Sequence, residues 1–221
     1  MTIINNLVKT FTDKKLVEQA LTHRSWVNEH KNLRETNERL EFLGDAILEY
    51  VVSDFLYKKF TNEDEGFLTA LRANIVNTVN LARVGSKLEI GDALFLSKGE
   101  EETGGRTNIS LLADTIEAII GAIFIDKGID AARKFIETNI TNDTDNIVKK
   151  PLKDAKSRLQ EKIQSEGFPA PKYQVKKETG PDHNKKFIVE VSSNGEIMSL
   201  GEGKSKSAAE QDAAQKALAS L

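Results

Sequence analysis

The sequence predicts a mainly α N-terminal domain over residues 1–140, a flexible linker over 141–151, and a small α+β domain of order α-β-β-β-α over 152–221. Three observations predict it. All four prolines, Pro151, Pro169, Pro171 and Pro181, fall in the last third of the chain. The proline-free first 150 residues repeat apolar side chains at the helical period of ~3.6. Beyond residue 171 the pattern alternates with period 2 around Asn194-Gly195, a dipeptide that suits a two-residue hairpin turn.

Taken in order, the helical periodicity predicts helices near 13–27, 36–60, 66–88, 107–126 and 129–138, with an extra turn near the N-terminus. The segment TNDTDNIVKKP (141–151) is polar, has little to bury and ends in a proline, which makes it the linker. A helix follows over roughly 152–166. KYQVKKET and KKFIVEVSS read as paired strands, EIMSLGEG as a third. The last helix is expected from about Ser207, with Ser207-Ala-Ala-Glu210 as its capping box.

The chain has 221 residues, enough for one or two domains. It has no cysteine, which excludes a disulfide framework and a thiolate zinc site. The opening MTIINNLVKTFTDKK lacks the apolar core of a signal peptide, and the run Ala118 to Ile125 is too short to span a bilayer. A cytoplasmic protein without membrane contact is expected. The net charge of −3 argues against a nucleic-acid partner, but the average conceals a split. Residues 1–150 carry 19 Lys/Arg against 24 Asp/Glu, a net of −5, while residues 151–221 carry 12 against 10, a net of +2.

The most informative stretch is Glu38-Arg-Leu-Glu41-Phe-Leu-Gly-Asp45-Ala46. On a helix of ~3.6 residues per turn, Glu41 lies about 60° and Asp45 about 20° from Glu38. Leu40, Leu43, Ile47 and Val51 take the opposite face, with Phe42, Leu48 and Val52 beside the acids. A helix apolar on nearly every side is expected to be buried, and carboxylates in such a wall are costly unless a positive group faces them. The segment from Ile109 to Ile125 repeats the arrangement, its only charges being Asp114 and Glu117, one turn apart. Two such helices point to one metal site. With oxygen ligands alone, it suits Mg²⁺ or Mn²⁺ rather than zinc. The alternatives are a solvated acidic edge, or buried pairing of Asp114 and Glu117 with arginines such as Arg39 or Arg72.

NERLEFLGDAIL at 37–48 resembles the signature of the ribonuclease III family. ALTHRSW at 20–26, EGFLTALRANIV at 65–76 and LLADTIEAIIGAIFIDKG at 111–128 resemble that family's other blocks in the same order. The resemblance implies an endonuclease that hydrolyses phosphodiester bonds of double-stranded RNA and leaves 5′-phosphate and 3′-hydroxyl ends. It implies metal ligands Glu41, Asp45, Asp114 and Glu117, with Asp45 and Glu117 catalytic, and accessory acids Glu38 and Glu65. It further implies two Mg²⁺ per site, with Mn²⁺ as a substitute, a homodimer with Phe42 at its interface, and ribosomal RNA precursors and other structured transcripts as substrates. None of the six acids is replaced, which speaks against a protein that only binds RNA. His23 is expected to be a hydrogen-bonded core histidine.

GPDHNKKF at 180–187 and GEGKSKSAAEQDAA at 201–214, within the α-β-β-β-α order, resemble a double-stranded RNA-binding domain. Such a domain reads A-form shape across two minor grooves and the phosphates between them. The residues expected to meet RNA are Lys204 and Lys206 at the start of the last helix, Gln160 and Gln164 on one face of the first, and His183 between strands.

Overall fold

In the first unit of the computed structural model, Met1–Leu152, helices follow one another in quick succession. They are α1 (Ile3–Thr10), α2 (Lys14–Ala20), α3 (Arg24–Glu29), α4 (Glu38–Lys59), α5 (Glu65–Val76), α6 (Thr78–Lys87), α7 (Ile90–Ala93), α8 (Lys98–Glu102), α9 (Ile109–Lys127), α10 (Ile129–Asn139) and α11 (Thr144–Val148). The structure describes residues 3–149, 151–181 and 185–221, without the side chains of Ile3, Asn5 and Asn6. His183, expected to reach RNA, lies outside the described residues.

The centre of this unit is the packing of α4 on α9. Leu48, Val51, Val52 and Leu56 of α4 and Ile116, Ile119 and Ile120 of α9 are fully buried, joined by Leu71 and Ile75 of α5 and Ile136 of α10. Short polar side chains start the helices, because the first backbone N–H groups have no partner within the helix. Asp13, Asp64, Asn77 and Asn108 each accept such an N–H at α2, α5, α6 and α9. Glu38 and Glu41 occupy the first turn of α4 and Lys58 and Lys59 its last, both favourable to the helix dipole.

Four expectations need correction. The helix expected over 13–27 is two, α2 and α3, because residues 21–23 leave the helix to pair with a distant strand-like segment: Phe95 N–H donates to Leu21 O at 2.9 Å and His23 N–H to Phe95 O at 3.1 Å. The helix expected over 66–88 breaks at Asn77, whose extended backbone (φ −65°, ψ 155°) ends α5 while its side chain accepts from Asn80 N–H at 2.8 Å. The expected linker is largely helical: Thr141–Asp143 form a 3₁₀ turn leading into α11. Thr144 is buried, its hydroxyl donating to Thr141 O at 2.6 Å, and Ile147, Val148 and Leu152 pack on the core. Two threonines that satisfy their hydroxyls locally can be buried despite a polar composition. Finally, α4 is not buried on every side, for Phe42 is 81% exposed and Tyr50 and Tyr57 are also exposed.

The second unit, Lys153–Leu221, contains α12 (Ala155–Ser165), β1 (Lys172–Thr179), β2 (Lys186–Ser193), β3 (Glu196–Gly203) and α13 (Lys206–Ser220). The sheet is antiparallel in the order β1-β2-β3. Asn194 (φ 51°) and Gly195 (φ 83°) make the turn between β2 and β3, with both central residues in the left-handed region as a type I′ turn requires. Val191 of β2 packs with Leu159 and Ile163 of α12 and with Ala213, Ala214 and Ala217 of α13, while Val189 packs with Phe187 and with Ala209 of α13. The cap of α13 is Ser205, whose Oγ accepts from Ala208 N–H, two residues before the expected capping box. The fold is thus a mainly α unit and an α-β-β-β-α unit.

Candidate active site

Helix α4 carries Glu38, Glu41 and Asp45 along one edge, and α9 carries Asp114 and Glu117. Where the helices cross, carboxylate oxygens of Glu41, Asp114 and Glu117 lie within 4.8 Å of one another. Two glycines make this approach possible. A Cβ on Gly44 would stand 1.8 Å from Glu117 O, and one on Gly121 would stand 2.3 Å from Leu40 O. Each backbone occupies the space the other's side chain would need. Asp45 is exposed and outside this trio, but its charge acts on both Glu41 and Glu117.

Burial and mutual repulsion raise the affinity of these groups for protons. Glu117 is pushed up to about 7, first by burial and then by Asp45, Asp114, Glu41 and Glu49. Glu41 is raised by burial, then by Asp114, Glu38 and Asp45. Asp114 is raised by burial, opposed only by His23. Among the described residues no arginine or lysine offsets the charge on Glu117, and Arg72, a candidate partner, instead pairs with Glu49 at 2.8 Å and donates to Ser53 Oγ. Oxygen donors crowded this closely without a cation fit a hard divalent ion.

A cleft of about 400 Å³ opens beside the trio, lined by His23, Arg24, Asn37, Glu38, Glu41 and Asp114 with Leu94, Leu111 and Thr115. Glu38 sits on its rim, 3.4 Å from Arg24 and accepting from Thr36 Oγ1. Glu65 stands apart at the first turn of α5, exposed and accepting from Thr69 Oγ1 at 3.0 Å. His23 is half-buried rather than in the core; its Nδ1 accepts from Ser25 N–H at the start of α3. Glu49 was not among the expected residues, although it continues the edge of Glu41 and Asp45 at the helical spacing. Gly44 and Gly121 were missed as well, though each is a small residue within one turn of an acid.

The raised carboxylates set a pH dependence. Glu117 holds its proton more tightly folded than unfolded, so its contribution to stability is fully present below pH 4.5 and is lost as pH rises through about 7. Glu41 and Asp114 act in the same direction. Acids held low by hydrogen bonds, such as Asp126 and Asp212, act below this window. In chelator, the melting temperature is therefore expected to fall by a few degrees between pH 5.5 and 8, and Glu117→Gln is expected to reduce that fall. An identical slope for the variant would contradict the charge crowding.

In the second unit, Gln160 and Gln164 are exposed on one face of α12 and bonded to each other at 3.4 Å. Lys204 and Lys206 are exposed on either side of Ser205, the cap of α13.

A family model described as ribonuclease-III-like matches residues 13–144, and one for the double-stranded RNA binding motif matches residues 155–221. The chain belongs to the ribonuclease III family. A protein named Ribonuclease 3 from Geobacillus sp. is 49% identical over 96% of this chain and 86% of its own length. Another, from Enterococcus faecalis, is 48% identical over 96% and 92%. A crystal structure of the nuclease domain of ribonuclease III from Campylobacter jejuni, described as 2.2 Å resolution, is 40% identical with a TM-score of 0.58, covering 65% of this chain and 97% of its own. A second structure of that domain, 41% identical with the same TM-score over 62% and 96%, is described as showing flexibility in a region involved in dimer formation. The chain is thus a ribonuclease III enzyme, an endoribonuclease for double-stranded RNA, and its C-terminal unit binds double-stranded RNA. No helix among the described residues is long and apolar enough to cross a membrane.

Proposed function

We propose that the enzyme cleaves duplex RNA at the crossing of α4 and α9 by a two-metal-ion mechanism, leaving 5′-phosphate and 3′-hydroxyl ends. Glu41, Asp45, Asp114 and Glu117 hold two Mg²⁺ per site, with Mn²⁺ as a substitute; Asp45 and Glu117 are the catalytic pair. Glu38 and Glu65 are the accessory acids, Glu65 on the family resemblance alone. The observation that carries this reading is the convergence of Glu41, Asp114 and Glu117 within 4.8 Å, with no basic side chain set against Glu117. Bound divalent cations supply Lewis acidity toward water and toward the charge on the departing 3′ oxygen. The protein's own part is to present the oxygens on two interlocked helices and to keep apolar side chains behind them, so that the site is set before substrate arrives.

The physiological substrates are ribosomal RNA precursors and other structured transcripts, and the enzyme acts in the cytoplasm as a homodimer. Phe42 supports the dimer: it is exposed at a cavity of about 560 Å³ whose apolar lining, Leu16, Leu40, Leu43 and Ile125, is edged by Gln19, Glu35, Glu38 and Arg39. An exposed aromatic next to an apolar cavity can complement itself about a two-fold axis.

RNA is gripped by Gln160, Gln164, His183, Lys204 and Lys206. Each lysine that neutralises a phosphate releases condensed counterions, so Lys204→Ala with Lys206→Ala is expected to weaken duplex binding and reduce its salt slope by about 2. Cleavage at saturating RNA is expected to survive, and an unchanged slope would remove α13 from the phosphate contacts. The activity itself is tested with end-labelled duplex RNA incubated with Mg²⁺ or with chelator, followed by mapping of the ends. Product with 5′-phosphate ends in Mg²⁺ alone is expected; equal cleavage in chelator would overturn the mechanism.

A further inference from the structure

The cleft beside the acid trio presents a chemical difficulty that its own residues address. Glu38, Glu41 and Asp114 line it, and an RNA phosphodiester brought against them is itself an anion. Cations relieve part of that repulsion. The remainder falls to hydrogen-bond donors that line the same cleft, His23, Arg24, Asn37 and Thr115. Asn37 Nδ2 already donates to Ala20 O and Thr115 Oγ1 to Leu111 O. Arg24 is engaged with Glu38 at 3.4 Å. His23 is different, because one of its ring nitrogens is occupied and the other is not.

The occupied nitrogen is Nδ1. The backbone N–H of Ser25 donates to it at 3.3 Å, and Ser25 Oγ lies 2.8 Å away. Ser25 Oγ itself accepts from Ser97 N–H at 3.1 Å. Because Ser25 N–H donates to Nδ1, the neutral ring carries its proton on Nε2. The backbone around the ring is held as well, His23 N–H donating to Phe95 O at 3.1 Å. Nε2 makes no hydrogen bond among the described residues. Burial keeps the ring's pKa below its ordinary 6.5, against the opposing pull of Glu100, Glu38 and Asp114.

We propose that His23 is a further catalytic residue, a neutral donor whose Nε2–H binds a non-bridging oxygen of the phosphodiester held against Glu41 and Asp114. This inference rests on the acid trio being the site of cleavage. The ring needs no change of protonation to act. Its geometry is set in advance by Ser25 and Ser97, so the ring is held in the lining of the cleft before RNA arrives.

The obvious rival is that His23 only caps α3. His23→Asn separates the two roles. Asparagine is a favoured cap residue whose side-chain oxygen can still accept Ser25 N–H, but it places no donor where Nε2 stands. The expected result is an unchanged melting temperature, unchanged retention of duplex RNA in a gel shift, and an unchanged Mn²⁺ midpoint. The single-turnover cleavage rate at saturating RNA is expected to fall about 10- to 100-fold, as for one lost hydrogen bond to a charged group. A duplex with a single phosphorothioate at the cleavage position supplies a readout that capping would not move. Sulfur in place of the bonded oxygen is expected to slow the wild type more than His23→Asn for one diastereomer and equally for the other. Full activity in His23→Asn, equal sulfur effects for both diastereomers, or a shifted Mn²⁺ midpoint would each overturn the proposal. Glu117→Gln run alongside keeps the readings apart: if it is inactive while His23→Asn cleaves normally, the trio stands and only the donor falls.

Discussion

Glu117→Gln is expected to lower the cleavage rate at saturating RNA by at least about 10³-fold while the protein stays folded and bound to duplex. The magnitude follows from charge stabilisation in a partly dry site, where removing a single group costs about 10²–10³ and loss of a cation-holding carboxylate costs more. Glutamine keeps the size of the side chain but removes the charge that four neighbouring carboxylates oppose. The metal-free variant is therefore expected to melt higher than wild type at pH 8, where Glu117 is ionised. RNA retention is expected to hold, because the C-terminal unit carries a double-stranded RNA binding motif of its own and the cleft has lost a repulsive charge. The two readouts moving in opposite directions is the diagnostic point. A general structural defect would lower both stability and activity. Cleavage at the wild-type rate would return the trio to a structural role.

Gly44→Ala is expected to be the most damaging single methyl group in the chain. Its Cβ would stand 1.8 Å from Glu117 O and 2.6 Å from Glu117 C, so α4 and α9 must separate. Both obstacles are backbone atoms and cannot rotate away. Overpacking a core costs about 1–3 kcal/mol where side chains can adjust, and here the upper end or beyond applies. The melting temperature is expected to drop by about 6–12 °C, at roughly 2–4 °C per kcal/mol for a chain of this size. Cleavage is expected to fall further than stability, because the separation acts on the spacing of Glu41 from Glu117 itself. Gly99→Ala, at a helical position with no atom within 4 Å of the added carbon, is the control and is expected to be neutral or slightly stabilising. Equal stability for the two variants would contradict the close crossing.

Much of this was legible in the sequence because it depends on local chemistry. Proline placement, period-2 alternation and Asn194-Gly195 act over a few residues, and the hairpin turn follows from the positive φ both residues accept. The edge formed by Glu38, Glu41 and Asp45 is a matter of helical spacing alone, as is the neighbouring pair Asp114 and Glu117. What escaped depends on contacts between distant segments. Nothing local in Leu21-Thr22-His23 shows that Phe95 will draw it out of a helix. The polar stretch 141–148 concealed a packed helix because Thr141 and Thr144 satisfy their hydroxyls within the turn. Asn77 was readable in principle, since asparagine is a favoured cap, but continuous apolar periodicity on both sides hid it. At the site, the acids were visible and the glycines that bring them together were not, because a helical glycine has meaning only against the helix it touches. His23 is hydrogen-bonded as expected but only half-buried, because it lines a cleft shared with Glu38 and Asp114.

The central claim is that the carboxylates at the crossing of α4 and α9 hold the divalent cations used in cleavage. Electron paramagnetic resonance of Mn²⁺ measures this directly, because free Mn²⁺ loses signal on binding. At pH 8 the wild type is expected to bind Mn²⁺ and to release it to excess Mg²⁺. The variant Glu41→Gln, Asp114→Asn, Glu117→Gln is expected to remain folded, melt higher in chelator and leave the Mn²⁺ signal undiminished. Binding of the same number of ions with the same midpoint by that variant would contradict the assignment and place the metal elsewhere.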